Sequence, residues 1–431
     1  MSGAGPTVAA SARELLDARL NRQVVTFLES CVRCGICAES CHYYVADHDP
    51  KHVPAYRGEL LRRIYRRYHD PVGRMFPEWV GAVDLNEETV DRLADVVFGT
   101  CTMCRRCTLN CPMGVDTGIL ARAARGMLTA LGKTPKGLQA TVDVHLATGN
   151  NMGISREDFV ETIEWMEEQL QDEVGDPEAR IPLDKPGARV LYTLNPREAK
   201  YYPLTILAAA KIYYAAGEDW TLSTESWDVT NYALFSGDDK VAGTLAARLA
   251  GEAERLGAHE VVMAECGHGF RAFRWEAENW LGRPFRMPVR GFVELMAQYI
   301  SEGRLKLDPD AVKQPVTYHD PCNQARSGGI IEEPRFILRR AVSDFREMTP
   351  NGAHNFCCGG GGGMLSMTEY AERRIAAGKT KADQIRATGA KIVATSCHNC
   401  LDQLKELSKH YQLKVEVKNL CEVIADALVI K

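Results

Sequence analysis

The sequence predicts an α + α/β protein, with an all-helical N-terminal part that carries two cysteine clusters and a duplicated α/β region with parallel sheets behind it. Three observations lead there. Two closely similar cysteine runs, CVRCGICAESC and CTMCRRCTLNC, lie among segments of helical periodicity. Past the polar Pro/Gly stretch Gly175–Gly187, short β-branched runs alternate with helical patterns. That alternation then returns: RLGAHEVVMAEC matches RATGAKIVATSC, and RGFVELMAQYI matches KNLCEVIADAL. The chain divides accordingly into residues 1–174, a first repeat 188–300 and a second repeat 301–431.

A chain of 431 residues holds two or three domains of ordinary size. Its formal net charge of −5 gives no basic footprint, which argues against nucleic acid as a partner. Fifteen cysteines gathered into clusters do not resemble a disulfide framework spread over a small secreted fold, so metal is the better reading. The N-terminus has neither a basic region followed by an apolar core nor a twin-arginine signal. The most apolar window, Pro203 to Ala216, is well short of the roughly 20 residues that span a bilayer. A soluble cytoplasmic chain is expected, with peripheral docking on the cytoplasmic face of the inner membrane left open.

Residues 11 to 30 read as one amphipathic helix that delivers the chain to Cys31. Cys31, Cys34, Cys37 and Cys41 follow in C-x2-C-x2-C-x3-C spacing, and Cys101, Cys104, Cys107 and Cys111 repeat it. Three thiolates at intervals of three wrap a loop around three corners of an iron–sulfur cubane, while the fourth reaches away. In two-cluster ferredoxins that fourth cysteine serves the other cluster. Cys31, Cys34, Cys37 and Cys111 are therefore assigned to one cubane [4Fe–4S] cluster, and Cys101, Cys104, Cys107 and Cys41 to the other. Structural zinc is the competing reading, but it usually uses paired C-x2-C knuckles. The first motif is followed by His42 where the second has Pro112. Between the motifs, Arg62, Arg63, Arg66 and Arg67 form a stripe that reads as a solvated helix face, or else as a docking surface. Further helices are expected at Asn86–Thr100, after Pro112, and from Arg156 to Glu173.

In the α/β region the strands ARVLYTL, HEVVMAEC, PVTYHDPC and KIVATSC imply parallel sheets with ligands at their carboxyl ends, where Cys266, Cys322 and Cys397 fall. A long helix is expected from Thr368 to Gly389. The repeats differ where chemistry would sit. The second has Cys322, the pair Cys357 and Cys358 opening the glycine run Gly359–Gly363, and Cys397 with Cys400. Opposite the last pair the first repeat offers Cys266 and Gly269, and opposite the CCG loop only NYALFSGD. Glu265, Cys266 and His268 are candidates for moving protons in a shared cleft, with Cys266 as a packed remnant the alternative. His319, Asp320, His354 and His398 are expected to donate hydrogen bonds near the ligands or to pack, and Cys421 to lie in the core.

The pattern C-x34-CC-x38-C-x2-C behind a two-cluster segment resembles the cysteine-rich CCG domains of heterodisulfide reductases. The fusion is similar to their D-type subunit. The altered first repeat is most similar to the K subunit of the membrane complex associated with dissimilatory sulfite reductase. The resemblance implies one noncubane [4Fe–4S] cluster on Cys322, Cys357, Cys358, Cys397 and Cys400, which forms or cleaves a sulfur–sulfur bond and is fed by the two cubanes. A sulfur-carrier protein is the implied substrate. A small heterodisulfide is the alternative, as is a pure relay like the iron–sulfur subunits of glycolate or glycerol-3-phosphate oxidase complexes. No haem, nicotinamide or flavin motif is present, so electrons must pass through a cytochrome b-type membrane subunit or a soluble flavoprotein.

Overall fold

The computed structural model describes residues 8–430; the reading of the N-terminal leader falls in part on residues 1–7, outside them. The chain forms two compact units that are not contiguous in sequence. One comprises Met1–Gln139, Ala233–Asp239 and Phe356–Lys381, the other Ala140–Tyr232, Lys240–Asn355 and Ala382–Lys431. The two excursions into the first unit are the segments that the repeat alignment sets opposite each other: the FSG stretch and the CCG loop.

The first unit is built around the helix Thr117–Ala130, against which the helices Arg22–Ser30, Pro54–His69 and Glu87–Gly99 pack. Asp116 caps it by accepting the N–H groups of Gly118 and Ile119, and Leu120, Ala121, Ala124, Met127 and Leu128 make its buried face. Asn86 and Thr89 cap Glu87–Gly99 reciprocally. The single helix expected over residues 11–30 is instead two, Val8–Asp17 and Arg22–Ser30. Asn21 restarts the chain, its side chain accepting the N–H of Val24 at 2.9 Å, and an N-cap bond of this kind competes well with a continuous helix.

The arginine stripe is not a solvated face. Arg62 is buried, ion-paired with Glu59 and donating to the Cys31 carbonyl at 3.0 Å. Arg63 donates to the Gly81 carbonyl, and Arg67 pairs with Asp84 at 2.9 Å. The helix expected over Thr368–Gly389 is likewise interrupted, running Ala371–Ala377 and Lys379–Thr388 with Gly378 between. Glycine is a weak helix former, and the Gly378 N–H turns back to Arg374 and Ile375.

The second unit holds two four-stranded sheets, parallel throughout. The first contains β1 (Val190–Tyr192), β2 (Trp220–Thr221), β3 (Glu260–Met263) and β4 (Val289–Gly291); the second contains β5 (Val316–His319), β6 (Phe345–Arg346), β7 (Ile392–Thr395) and β8 (Glu416–Asn419). Their orders are β2-β1-β3-β4 and β6-β5-β7-β8, the same topology twice. Each repeat ends alike. At the helix after β4 the N-cap Gly291 N–H donates to Glu294, and at the helix after β8 the N-cap Asn419 N–H donates to Glu422, both at 2.7 Å. One apolar core runs through both repeats, including Tyr192, Tyr213, Phe292, Val316, Ile337 and Ile424.

At the edge of the first sheet Glu218 accepts hydrogen bonds from Arg189 and Tyr299 and pairs with Arg304. Burial alone would raise its carboxyl, but these donors bring it from about 4.5 down to about 2. A depressed carboxylate stabilises the fold fully above its unfolded value and loses that contribution as pH falls through the folded one. Glu218→Gln is therefore expected to melt several degrees below wild type at pH 7, about 2–4 °C for each kcal/mol lost. The gap should narrow between about pH 4.5 and 2, as melts across pH will read; a gap that stays constant down to the acid limit would contradict the assignment.

Candidate metal centres

Both cysteine runs fold the same way. Arg33 and Gly35 in the first, and Met103 and Arg105 in the second, all have positive φ, at 58°, 80°, 53° and 60°. These are matching positions, each CxxCxxC loop turning left-handed on both sides of its middle cysteine. Three of the four residues are not glycine, so the conformation is strained and must be held by its surroundings. Loops of this sort direct successive N–H groups inward and make a cradle for an anion.

One cavity of the first unit is lined by Cys31, Cys34, Cys37 and Cys111, with Cys107 also present. A second is lined by Cys41, Cys101, Cys104 and Cys107, together with His42, Arg57 and Thr100. The two differ in environment. Cys34 is exposed and Cys31, Cys37 and Cys111 are half-buried, whereas in the second set Cys41 and Cys101 are buried and Cys104 and Cys107 half-buried. Burial raises the thiols of Cys37, Cys101 and Cys107, so in the bare protein they are protonated near neutral pH.

The residues fit an anionic group. Arg57, 3% exposed, places Nη2 3.5 Å from Cys41 Sγ and donates Nε–H to Thr100 Oγ1 at 3.0 Å. Arg125, fully buried, donates to the carbonyls of Val97, Cys101, Phe235 and Gly362. Among the described residues no carboxylate pairs with either guanidinium, and a buried unpaired charge is costly. A thiolate-ligated iron–sulfur cluster, negative overall, would supply the missing counter-charge. His42 points the same way: its Nε2 has no hydrogen-bond partner, and a ring nitrogen lies with Cys104 Sγ and Cys357 Sγ, all within 4.8 Å of one another. The sequence flags His42 only as the residue standing where the second motif has proline. Arg57 and Arg125 carry no sequence signal, because nothing local separates a buried arginine from a solvated one.

Of the second repeat's cysteines, Cys357 and Cys358 belong to the first unit, on the buried CCG loop. The N–H groups of Gly359 and Gly360 donate to Cys357 Sγ and Cys358 Sγ, each at 3.4 Å.

Cys322, Cys397 and Cys400 belong to the second unit, where all three are buried. Cys322 follows β5 and Cys397 follows β7, so the two flank the switch point where strand order reverses, the place where open parallel sheets bind ligands. Cys397 caps the helix His398–His410, which brings Cys400 onto its first turn. A hydrogen bond with Cys400 pulls the Cys397 thiol down to about 6 despite burial, aided by the N–H groups of Cys400, Gly267 and Asn399.

The first repeat mirrors this arrangement with a single cysteine. Asn195 follows β1 and Cys266 follows β3; Asn195 donates to Cys266 Sγ at 3.3 Å, and Cys266 lies 3.4 Å from His268 Nδ1. A Cβ on Gly269, the counterpart of Cys400, would lie 2.3 Å from the Val229 carbonyl oxygen, so no side chain fits there. The two switch points meet within this unit. His398 N–H donates to the Glu265 carbonyl at 3.0 Å, and a Cβ on Gly267 would be 3.4 Å from Cys397 Sγ.

Burial raises Glu265 and Cys266 well above their usual ranges, which keeps the proton on Cys266 at neutral pH and favours the protonated form of Glu265. Glu265 accepts the N–H of Cys421, itself in the core. His268 is brought down to about 3 by burial and by the charges of Arg197 and His145, which leaves it neutral. Asp320 is held by Arg335 at 2.9 Å, and Asn355 lies 3.3 Å from the His319 ring. His398 Nε2 is 3.2 Å from Glu198, while His354 is exposed.

Residues 27–115 match the 4Fe-4S dicluster domain family, and residues 316–405 the cysteine-rich domain family abbreviated CCG. The "Hdr-like menaquinol oxidoreductase iron-sulfur subunit 2" of Archaeoglobus fulgidus is 31% identical over 95% of this chain and 81% of its own length. The chain belongs to the family of Hdr-like iron–sulfur subunits. Within this oxidoreductase family it is also similar to the D-type subunit of the dihydromethanophenazine:CoB--CoM heterodisulfide reductase of Methanosarcina barkeri, 26% identical over 93% of this chain and 94% of that one. The "EtfAB:quinone oxidoreductase" of Syntrophomonas wolfei is 25% identical over 93% of this chain, which spans 58% of that protein. Among the described residues of this Hdr-like protein no helix is long and apolar enough to cross a membrane.

Proposed function

We propose that this subunit makes or breaks sulfur–sulfur bonds at a noncubane [4Fe–4S] cluster ligated by Cys322, Cys357, Cys358, Cys397 and Cys400. One observation carries the reading: the match to the cysteine-rich CCG family spans residues 316–405 and so contains all five. Two cubane clusters, on Cys31, Cys34, Cys37 and Cys111 and on Cys101, Cys104, Cys107 and Cys41, would carry electrons to and from it. The cysteine sets lining the two cavities of the first unit support that division. The segments 1–174, 188–300 and 301–431 are read as one cluster module and two copies of an ancestral repeat.

The net reaction is R–S–S–R′ + 2 e⁻ + 2 H⁺ → RSH + R′SH, or its reverse. When bound, the iron–sulfur clusters supply the electrons one at a time. The chain's own residues hold thiolates and protons. Amide N–H groups at the start of His398–His410 favour the thiolate of Cys397. Cys266 stands beside His268 and keeps its proton at neutral pH, and burial next to Cys421 favours the protonated form of Glu265. These are the groups we assign to proton movement. His268, held neutral, would relay a proton between its ring nitrogens and not donate one as imidazolium.

The substrate we favour is the disulfide or trisulfide of a small sulfur-carrier protein, with a cytochrome b-type membrane subunit or a soluble flavoprotein as electron partner. The likeness to the Methanosarcina barkeri protein favours a second reading, a small heterodisulfide. Adding thiol or persulfide forms of each candidate to the oxidised protein tests both. A new paramagnetic signal is expected with the true substrate. A spectrum that no sulfur compound changes would leave only an electron relay.

A further inference from the structure

Arg57 and Arg62 lie on one helix, Pro54–His69, yet the charges they bring to the two cysteine sets are not equivalent. Arg62 reaches the Cys31 carbonyl with Glu59 as its counter-ion, so the exposed set sees a neutralised pair. Arg57 contacts Cys41 Sγ directly and, among the described residues, meets only neutral acceptors besides, namely Thr100 Oγ1, the Thr100 carbonyl and the His52 carbonyl. It is a full positive charge in a low-dielectric interior, answered among the described residues by sulfur. Reduction adds one electron, hence one negative charge, to whatever cluster those thiolates hold. A buried cation in contact with a ligand sulfur stabilises the reduced form more than the oxidised one. Burial of the cluster works the other way, which is why an unpaired guanidinium at this place matters.

Position gives the asymmetry a use. Half-buried Cys104 belongs to the set beside Arg57, and its Sγ lies within 4.8 Å of Cys357 Sγ on the CCG loop. Cys34, by contrast, faces solvent.

We propose that Arg57 raises the reduction potential of the cluster held by Cys41, Cys101, Cys104 and Cys107, setting it as the electron store next to Cys357. The inference rests on the assignment of two cubanes and not on the chemistry at the CCG site.

The test is a redox titration of the full-length, anaerobically purified protein, followed by electron paramagnetic resonance, with iron and sulfide assayed in parallel. In Arg57→Gln one cubane signal is expected to shift to lower potential by at least the equivalent of tenfold in its electron-exchange equilibrium, ~59 mV for a one-electron couple. The other should stay where it is. Arg57→Lys keeps the charge without the planar fork and should recover part of the shift. It also serves if the glutamine variant loads poorly. A Cys34→Ala variant identifies the exposed cluster's signal. The proposal is overturned if fully loaded Arg57 variants leave both potentials unchanged, or if the signal that moves is the one lost with Cys34. Failure of the CCG reading shows separately, as absence of any new signal when thiol or persulfide is added to oxidised wild-type protein.

Discussion

Serine at Cys357 or Cys358 is expected to abolish the sulfur-bond activity and the signal of the third centre while both cubane signals persist. The reason lies in the loop. Both thiols are buried, each accepts an N–H from the glycine two residues on, and hydrogen bonds of that kind favour a thiolate. A hydroxyl fits the same space but does not ionise near neutral pH, so the fold survives and the ligand is lost. The glycines make the close approach feasible. Gly362 has φ of 66°, and a Cβ there would come within 2.7 Å of the Thr102 backbone. Iron content and paramagnetic spectra of the two variants decide the matter, and an unchanged spectrum in either would refute its role as ligand. Loss of all three signals together would instead mean that the loop is structural for the first unit.

The second large effect is on stability. Arg125→Met should remove the donor to four buried carbonyls that join the Thr117–Ala130 helix to Val97, Cys101, Phe235 and Gly362. Each carbonyl left unsatisfied costs ~1–3 kcal/mol, so a total above ~4 kcal/mol is expected even after relaxation. That is a large part of the stability of an ordinary domain, about 5–15 kcal/mol. The variant should melt far below wild type and lose iron from the buried set first. A shift in melting temperature under about 2 °C would show that water or neighbouring donors replace the guanidinium. Methionine keeps much of the volume, so the result reports lost hydrogen bonds more than a cavity.

Much of this was legible in the sequence because it is local or repeated. Thiols at fixed spacing, short β-branched runs ending in Cys266, Cys322 and Cys397, and the match of RLGAHEVVMAEC to RATGAKIVATSC need no knowledge of contacts. Others depend on distant partners. Arg62 lies in a stripe of like residues, and only the approach of Glu59 and the Cys31 carbonyl distinguishes it from a solvated neighbour. The break before Arg22 hangs on one side-chain bond of Asn21, which a sequence window averages into a continuous helix. The left-handed Arg33, Met103 and Arg105 give no warning, since such backbone is ordinarily marked by glycine or asparagine. Nor does alignment of the repeats reveal that their matching excursions join the unit of the cysteine runs.

That last arrangement bears on synthesis. A ribosome releases the thiols of the first unit early, but Arg125 must wait for the carbonyls of Phe235 and Gly362, and the unit's last segment ends at Lys381. Folding from the N-terminus outward, the usual order during translation, cannot complete this unit until the segment Phe356–Lys381 has emerged. The nascent protein therefore passes through a long interval with eight cysteines displayed on an unfinished frame. Only when the segment ending at Lys381 has been made can the frame around those thiols close.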